Sequence, residues 1–336
     1  MLIDSWGREI TYLRISVTDR CNLRCVYCMP PGGIEWKARE EILSFDEITR
    51  FVTAAAGLGI RSVRLTGGEP LVRTDLPALV SALSAIPEIE EISLTTNGTL
   101  LEKMAEPLAM AGLRRVNISL DTLDAEKFSR ITRGGKIEQV WRGIFAAEAA
   151  GLQPIKINCV IVRGVNSDEL IQLANLSRKH ALHIRFIEVM PIGNQGKWGP
   201  GFPSLQDRYL SIREMKEEMS VLDIQPTSSP AGNGPAKTFR IPGSLGTIGF
   251  ISPIGEHFCS SCNRIRMTAD GRLRSCLISN AEINLREAIS QGDLLEDLIR
   301  RAVARKPEGN PFGGSALFQP DPIDLQSSRY MAQIGG

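Results

Sequence analysis

Six of the seven cysteines fall into two triplets, and each triplet has the spacing of a metal-binding loop. Cys21, Cys25 and Cys28 form C-x3-C-x2-C directly after a β-rich run. Three thiolates suit a [4Fe–4S] cluster with one iron left open, since a fully ligated cluster takes four cysteines. An open position is what a catalytic metal centre needs and a structural one lacks. A zinc site that borrows a fourth ligand, or incidental cysteines, are the plain alternatives. Cys259, Cys262 and Cys276 form C-x2-C-x13-C. There His257 would complete a Cys₃His zinc tetrad, so zinc and a second cluster stand level on spacing alone. Cys159 alternates with the isoleucines of its run and reads as a buried apolar residue.

The elements that must position these groups are legible between residues 10 and 189. β-rich runs span Tyr12 to Thr18, Ser62 to Thr66, Glu91 to Thr96, Arg115 to Leu120, Ile155 to Val162 and His183 to Val189. Helix-like segments separate them, two of them closing on Gly59 and Gly151, as helix C-termini often do. Strand and helix alternating at about 30 residues per unit predict repeated βαβ units on a parallel sheet. Six units are fewer than the eight of a closed barrel. The expected fold class is α/β: a partial barrel or an open doubly wound sheet. The first triplet then sits on a loop at the C-terminal end of a strand, where such folds place their chemistry.

Parallel strands are normally apolar on both faces. These alternate instead. Leu13, Ile15 and Val17 oppose Arg14 and Ser16; Val63 and Leu65 oppose Arg64 and Thr66; Ile92 and Leu94 oppose Ser93 and Thr95. Ile118 and Leu120 oppose Asn117 and Ser119, Ile157 and Cys159 oppose Lys156 and Asn158, and Ile184 and Phe186 oppose Arg185. If helices cover the apolar face, Arg14, Arg64, Lys156 and Arg185 line a concavity. Four unpaired cations are too costly for a sealed interior, so they imply an open lumen for an anionic ligand. The bland alternative is a sheet with one solvated face.

Beyond residue 190 the pattern breaks into the Gly/Pro-rich PIGNQGKWGPGFPS, which reads as a linker or loop. Three β-like stretches follow, with a hairpin turn at Asp270–Gly271 that puts Cys276 across from Cys262. This divides the chain into residues 1–190, a barrel-like part, and 191–336, a smaller C-terminal part. The net charge of +1 argues against nucleic acid or an acidic membrane as the main partner. Neither a secretory leader nor an apolar run of about 18 residues is apparent, so the expectation is a soluble cytoplasmic protein without membrane contact. No G-x4-G-K-[ST] occurs, which excludes a P-loop NTPase.

The triplet within CNLRCVYCMP, followed by Thr66-Gly67-Gly68-Glu69-Pro70, resembles the radical S-adenosylmethionine (SAM) superfamily signature. Together with TGGEPLVR, TTNG, SLD, the distal triplet and the terminal Gly–Gly, it is most similar to the superfamily branch that cyclises GTP to open molybdenum cofactor biosynthesis. The likeness runs nearly end to end. It implies an incomplete (β/α)6 TIM-like barrel with a smaller C-terminal α+β region closing its open side. It also implies that Cys21, Cys25 and Cys28 hold a [4Fe–4S] cluster that chelates SAM, and that Cys259, Cys262 and Cys276 hold a second [4Fe–4S] cluster facing guanine.

Tyr27, Gly68, Ser119 and Met190 match SAM positions of that family, the glycines allowing close backbone approach. Arg14, Arg64, Thr95, Lys156, Arg264, Ile265 and Arg266 match GTP positions. Arg264 and Arg266, two apart in a β-like run, point the same way, a geometry suited to triphosphate. Arg14, Arg264, Arg266 and the tail Gly335–Gly336 are the expected catalytic set, the side-chain-free tail threading into the site. The implied reaction cleaves SAM reductively, takes hydrogen from C3′ of GTP, and bonds C3′ to C8. Implied partners are a flavodoxin- or ferredoxin-type electron donor, a second copy of the chain in a homodimer, and the downstream cyclic pyranopterin monophosphate synthase. Another radical SAM enzyme with an auxiliary cluster, of peptide-maturase type, and a non-catalytic zinc- or nucleotide-binding protein are the rival readings.

Overall fold

The structure is a computed structural model that describes residues 1–190, 192, 198–204, 207–230, 232, 234–309 and 329–335. Its helices start and stop where local chemistry says they should. Ser44 caps the helix Phe45–Leu58: its hydroxyl accepts from the Glu47 N–H, and Glu47 reaches back to the Ser44 N–H. Gly59 ends the same helix at φ 122°, a backbone angle that a side chain disfavours. Its buried face, Ile48, Phe51, Val52 and Ala55, packs onto the sheet.

The strands are β1 (Tyr12–Ser16), β2 (Ser62–Thr66), β3 (Glu91–Thr96), β4 (Arg115–Ser119), β5 (Lys156–Ile161), β6 (His183–Glu188), β7 (Gln225–Pro226), β8 (Lys237–Arg240), β9 (Thr247–Ile251), β10 (Arg264–Met267), β11 (Arg272–Arg274) and β12 (Glu282–Asn284). They form one sheet in the order β12-β11-β10-β1-β2-β3-β4-β5-β6-β9-β8-β7. β1 to β6 run parallel, as the βα alternation predicts. β10 joins β1 in parallel and β9 joins β6 in parallel, so strands from beyond residue 190 extend both edges of the sheet. β10 and β9 do not pair with each other, and the barrel stays open. The hairpin at Asp270–Gly271 forms between β10 and β11, with Gly271 at φ 75°.

Period-two alternation sorts the side chains. Leu13, Ile15, Val63, Leu65, Leu94, Ile118, Ile157 and Ile184 are fully buried in one apolar core between sheet and helices. The opposite faces turn inward, and their polar residues are nearly as buried: Arg64 is 6% exposed, Arg185 6%, Arg266 5%. Among the described residues no helix is long and apolar enough to cross a membrane.

Candidate active site

Cys21, Cys25 and Cys28 ride the loop that leaves β1. It is pinned from below: Arg24 and Val26 donate their N–H groups to Thr132 and Ile131, and Arg133 Nη1 donates to the carbonyls of Arg24 and Met29. Within it, the Cys28 N–H donates to the Cys25 carbonyl, and the Leu23 N–H lies 3.3 Å from Cys21 Sγ. Gly67 and Gly68 leave no room for a side chain. A Cβ there would lie 2.6 Å from the Thr18 carbonyl oxygen and 2.4 Å from that of Arg20. Both glycines therefore let the β2 loop close directly on the cysteine loop, and Gly68 also lines the cavity.

Burial pushes the Cys21 thiol up to about 11 and the Cys28 thiol to about 12. Cys25 is pushed up by burial and by the charges of Cys28, Asp121 and Cys21. All seven cysteines are free. Among the described residues no group of three His, Cys, Asp or Glu is drawn together to hold a metal ion.

Buried carboxylates brace the rim above the strands. Glu69 accepts from the N–H groups of Leu71 and Asn97 and from the Thr96 hydroxyl, joining the β2 and β3 loops. Asp121 accepts from the Tyr27 hydroxyl at 2.6 Å and the Val160 N–H at 2.8 Å. Glu169 accepts from the Thr122 hydroxyl and the Leu123 N–H. Glu188 accepts from Tyr209, Ser252 and the N–H groups of Ile212, Ile254 and Gly255. Burial raises Glu69 to about 7 and Asp121 to about 6.

Below the rim a cavity of about 320 Å³ opens, and all six cysteines of the two triplets line it. Tyr27, Gly68, Ser119 and Met190 line it too, as do Tyr12, Arg14, Arg64, Thr95, Arg185, Arg264 and Arg266. The Arg264 guanidinium lies between two rings, 5.9 Å from the centroid of Tyr12 and 5.2 Å from that of Phe258. Burial depresses the cations, with their neighbours' charges adding to it: Arg14, Arg64 and Arg185 to about 9, Arg266 to about 10. Arg264 Nε, Arg185 Nε, Thr95 Oγ1 and the Tyr12 hydroxyl are buried without a hydrogen-bond partner among the described residues. Buried polar atoms seldom stay unsatisfied, and an anion rich in oxygen would satisfy these.

Two expected ligand residues sit elsewhere. Lys156 lines not this cavity but a small one beside it, with His183 and Arg185. It occupies the lower end of β5, one step short of the level of Asn158. Ile265 is fully buried in the apolar core, because it alternates with Arg264 and Arg266 and pairs with Leu13. Its side chain contributes core packing. Gly335 reaches the inward face: Arg266 Nη1 donates to its carbonyl at 2.7 Å. With φ 85°, and Ser16 Cβ and Thr66 Cγ2 each 3.0 Å from where a Cβ would stand, only glycine fits. Gly336 lies outside the described residues.

Cys259 and Cys262 flank a single tight turn, closed by the Cys262 N–H on the Cys259 carbonyl, and Cys276 follows β11. Burial pushes the Cys262 thiol up, but the charges of Arg264 and Lys306 and hydrogen bonds from both residues outweigh it, and the thiol lies below its ordinary value. Tyr12, Asp121, Glu188, Arg8 and Lys306 were not anticipated from sequence. Tyr12 carried a signal, since it shares the inward alternation of Arg14 and Ser16, and Asp121 closes the SLD motif.

An open parallel barrel, a cysteine loop at the top of its first strand and bracing carboxylates on its rim define a radical SAM enzyme. Residues 15–177 match the model of the radical SAM superfamily, and residues 182–312 match that of Molybdenum Cofactor Synthesis C. The chain is 48% identical over 337 residues to GTP 3′,8-cyclase of Moorella thermoacetica, covering 99% of each, and 46% identical over 340 residues to GTP 3′,8-cyclase of Listeria monocytogenes, covering 100% of this chain and 99% of the relative. The chain belongs to the GTP 3′,8-cyclase family. Streptococcus suis SuiB shares the fold, with a TM-score of 0.60 at 17% identity over 87% of this chain and 68% of that one. The structure of anSMEcpe with bound AdoMet does so at TM-score 0.54 and 15% identity, over 92% and 80%.

Proposed function

We propose that this enzyme converts GTP to (8S)-3′,8-cyclo-7,8-dihydroguanosine 5′-triphosphate, the first step of molybdenum cofactor biosynthesis. Cys21, Cys25 and Cys28 would hold one [4Fe–4S] cluster, and Cys259, Cys262 and Cys276 a second. Tyr27, Gly68, Ser119 and Met190 would receive SAM, and Arg14, Arg64, Thr95, Lys156 and the stretch Arg264 to Arg266 would receive GTP. When bound, cluster and SAM together supply a carbon-centred radical able to take a hydrogen atom from the ribose.

The protein's own share is alignment and exclusion of water. Both cysteine triplets share one cavity with Arg14, Arg64, Arg185, Arg264 and Arg266. This observation carries the reading, because two ligands must meet there with their reacting atoms close. Guanidinium groups bind phosphate through paired, charge-assisted hydrogen bonds. Arg266, bound to the Gly335 carbonyl, couples substrate binding to the position of the tail. Reducing equivalents would come from a flavodoxin- or ferredoxin-type donor, the enzyme would work as a cytoplasmic homodimer, and its product would pass to cyclic pyranopterin monophosphate synthase.

The test is anaerobic incubation of iron- and sulfide-reconstituted protein with GTP, SAM and dithionite. Equal amounts of 5′-deoxyadenosine and a cyclised purine nucleotide are expected. Cys25→Ser should abolish SAM cleavage, while Cys262→Ser should leave some uncoupled cleavage and no cyclic product. Cyclisation in either variant would overturn the reading.

A further inference from the structure

The second cysteine triplet is wired to residues 306–308, which the proposed function leaves unused. Lys306 is 4% exposed, and its ammonium donates to the carbonyls of Arg264 at 2.8 Å and Ser275 at 2.9 Å. These carbonyls lie two residues after Cys262 and one before Cys276. The charge of the same ammonium bears on the Cys262 thiol. A lysine has three N–H donors. Here two go to carbonyls, and among the described residues no carboxylate pairs with the charge.

Arg8 completes the wiring. Its Nη1 donates to the Cys259 carbonyl at 2.7 Å and to that of Glu308 at 2.9 Å, and its Nη2 to that of Pro307 at 2.6 Å. Its Nε is paired with Asp4 at 2.6 Å, so this cation is largely compensated where Lys306 is not. The first triplet has a different setting. Asp121 acts on Cys25 and Glu69 on Cys21, both acidic, so the charge of Arg133, which also bears on Cys25 while its guanidinium bonds loop carbonyls, is offset there.

Net charge and hydrogen bonds to sulfur set the potential of an iron–sulfur centre, and a nearby cation favours the form that has gained an electron. Resting on the reading of both triplets as [4Fe–4S] centres, we infer that Lys306 is a positioning residue of the second centre whose uncompensated charge makes that centre the easier of the two to reduce. The couple is a one-electron gain from an added reductant, and Lys306 keeps its protons throughout.

The full-length protein, reconstituted anaerobically, is reduced stepwise with dithionite while both centres are followed by low-temperature EPR. Cys25→Ala and Cys262→Ala assign the two signals. In the native protein, with about eight irons per chain, the second-centre signal should appear first. Lys306→Gln keeps N–H donors and removes the charge; Lys306→Met removes both. In either variant the order should close up or invert, through a fall in the second potential with the first unmoved. An unchanged order in Lys306→Gln with its irons retained overturns the inference. Loss of about four irons in both variants overturns it too, since Lys306 would then be scaffold only. Native protein that binds only about four irons brings down the two-centre reading itself, a result separable from both.

Discussion

The Tyr27 hydroxyl donates to Oδ2 of Asp121 across 2.6 Å, and so ties the cysteine loop of β1 to the end of β4. Oδ1 of the same carboxylate holds the Val160 N–H at the end of β5. One side chain thereby fixes three loops around the cavity that both residues line.

Asp121→Ala takes the acceptor from a half-buried hydroxyl and a half-buried N–H, at a cost of up to about 1–3 kcal/mol each. Tyr27 then loses its fixed place. SAM affinity should fall at least about tenfold, about 1.4 kcal/mol, with iron content retained. Asp121→Asn, which keeps an acceptor for Val160, should lose less. Equilibrium binding of SAM to the reconstituted protein measures both. Equal, unaltered affinity would show that Tyr27 needs no anchoring.

Gly335→Ala forces a side chain into the left-handed region and against Ser16 and Thr66. The backbone cost alone is about 1–2 kcal/mol, roughly tenfold in occupancy of the docked tail. Product formation should drop by about that factor or more, while the melting temperature stays within a degree or two, since the tail is a small part of the core. Arg266→Lys should show the same loss, because a lysine cannot reach the Gly335 carbonyl and hold an anion with one fork.

Much of this was written in local patterns. The alternation of Leu13 and Ile15 with Arg14 and Ser16 announced a polar inner face, and β2 and β3 start and end where the runs Ser62 to Thr66 and Glu91 to Thr96 do. What escaped depends on contacts between residues far apart in sequence. Nothing in Thr247 to Ile251 or Arg264 to Met267 says that these short strands run parallel to β6 and β1, because hairpin and crossover strands look alike locally. Lys306 follows a helix as an ordinary lysine, and its meaning arises only where it meets Arg264 and Ser275. Lys156 shows the converse. Its strand period placed it on the inner face, but period fixes a side, not a height, and it sits below the main cavity.

His183 stands beside Lys156, its Nδ1 2.8 Å from Thr247 Oγ1. Burial, and then the charges of Lys156, Arg185 and Arg240, hold its imidazole down at about 4. The unfolded chain binds a proton near pH 6.5, so between about 6.5 and about 4 it carries more protons than the folded one. Stability from this site is present above that window and is lost as pH falls through it, by at most about 3 kcal/mol. His183→Gln, which cannot titrate, should lose less stability on acidification. Urea unfolding of both proteins at pH of about 7.5 and about 5 reads the difference; parallel losses would place His183 in a neutral setting.

Lys156 offers a test of whether the nucleotide reaches the lower cavity, which it lines. Burial and the charges of Arg115, Arg185 and Arg64 push its ammonium down to about 7, with Glu91 opposing. A triphosphate nearby would favour the charged form and raise that value again. Above about pH 7, then, binding of GTP should draw a proton from solvent, and affinity should weaken as pH climbs towards 10, by at most about tenfold per unit. Calorimetry in buffers of unlike ionisation enthalpy counts the proton. Lys156→Arg keeps its charge at pH about 8, so the uptake seen there should fall and the affinity profile between about 7 and 8 should flatten. Native protein that binds GTP with no uptake at pH about 8 would mean that the phosphates rest on Arg14, Arg64 and Arg266 alone, above the reach of Lys156.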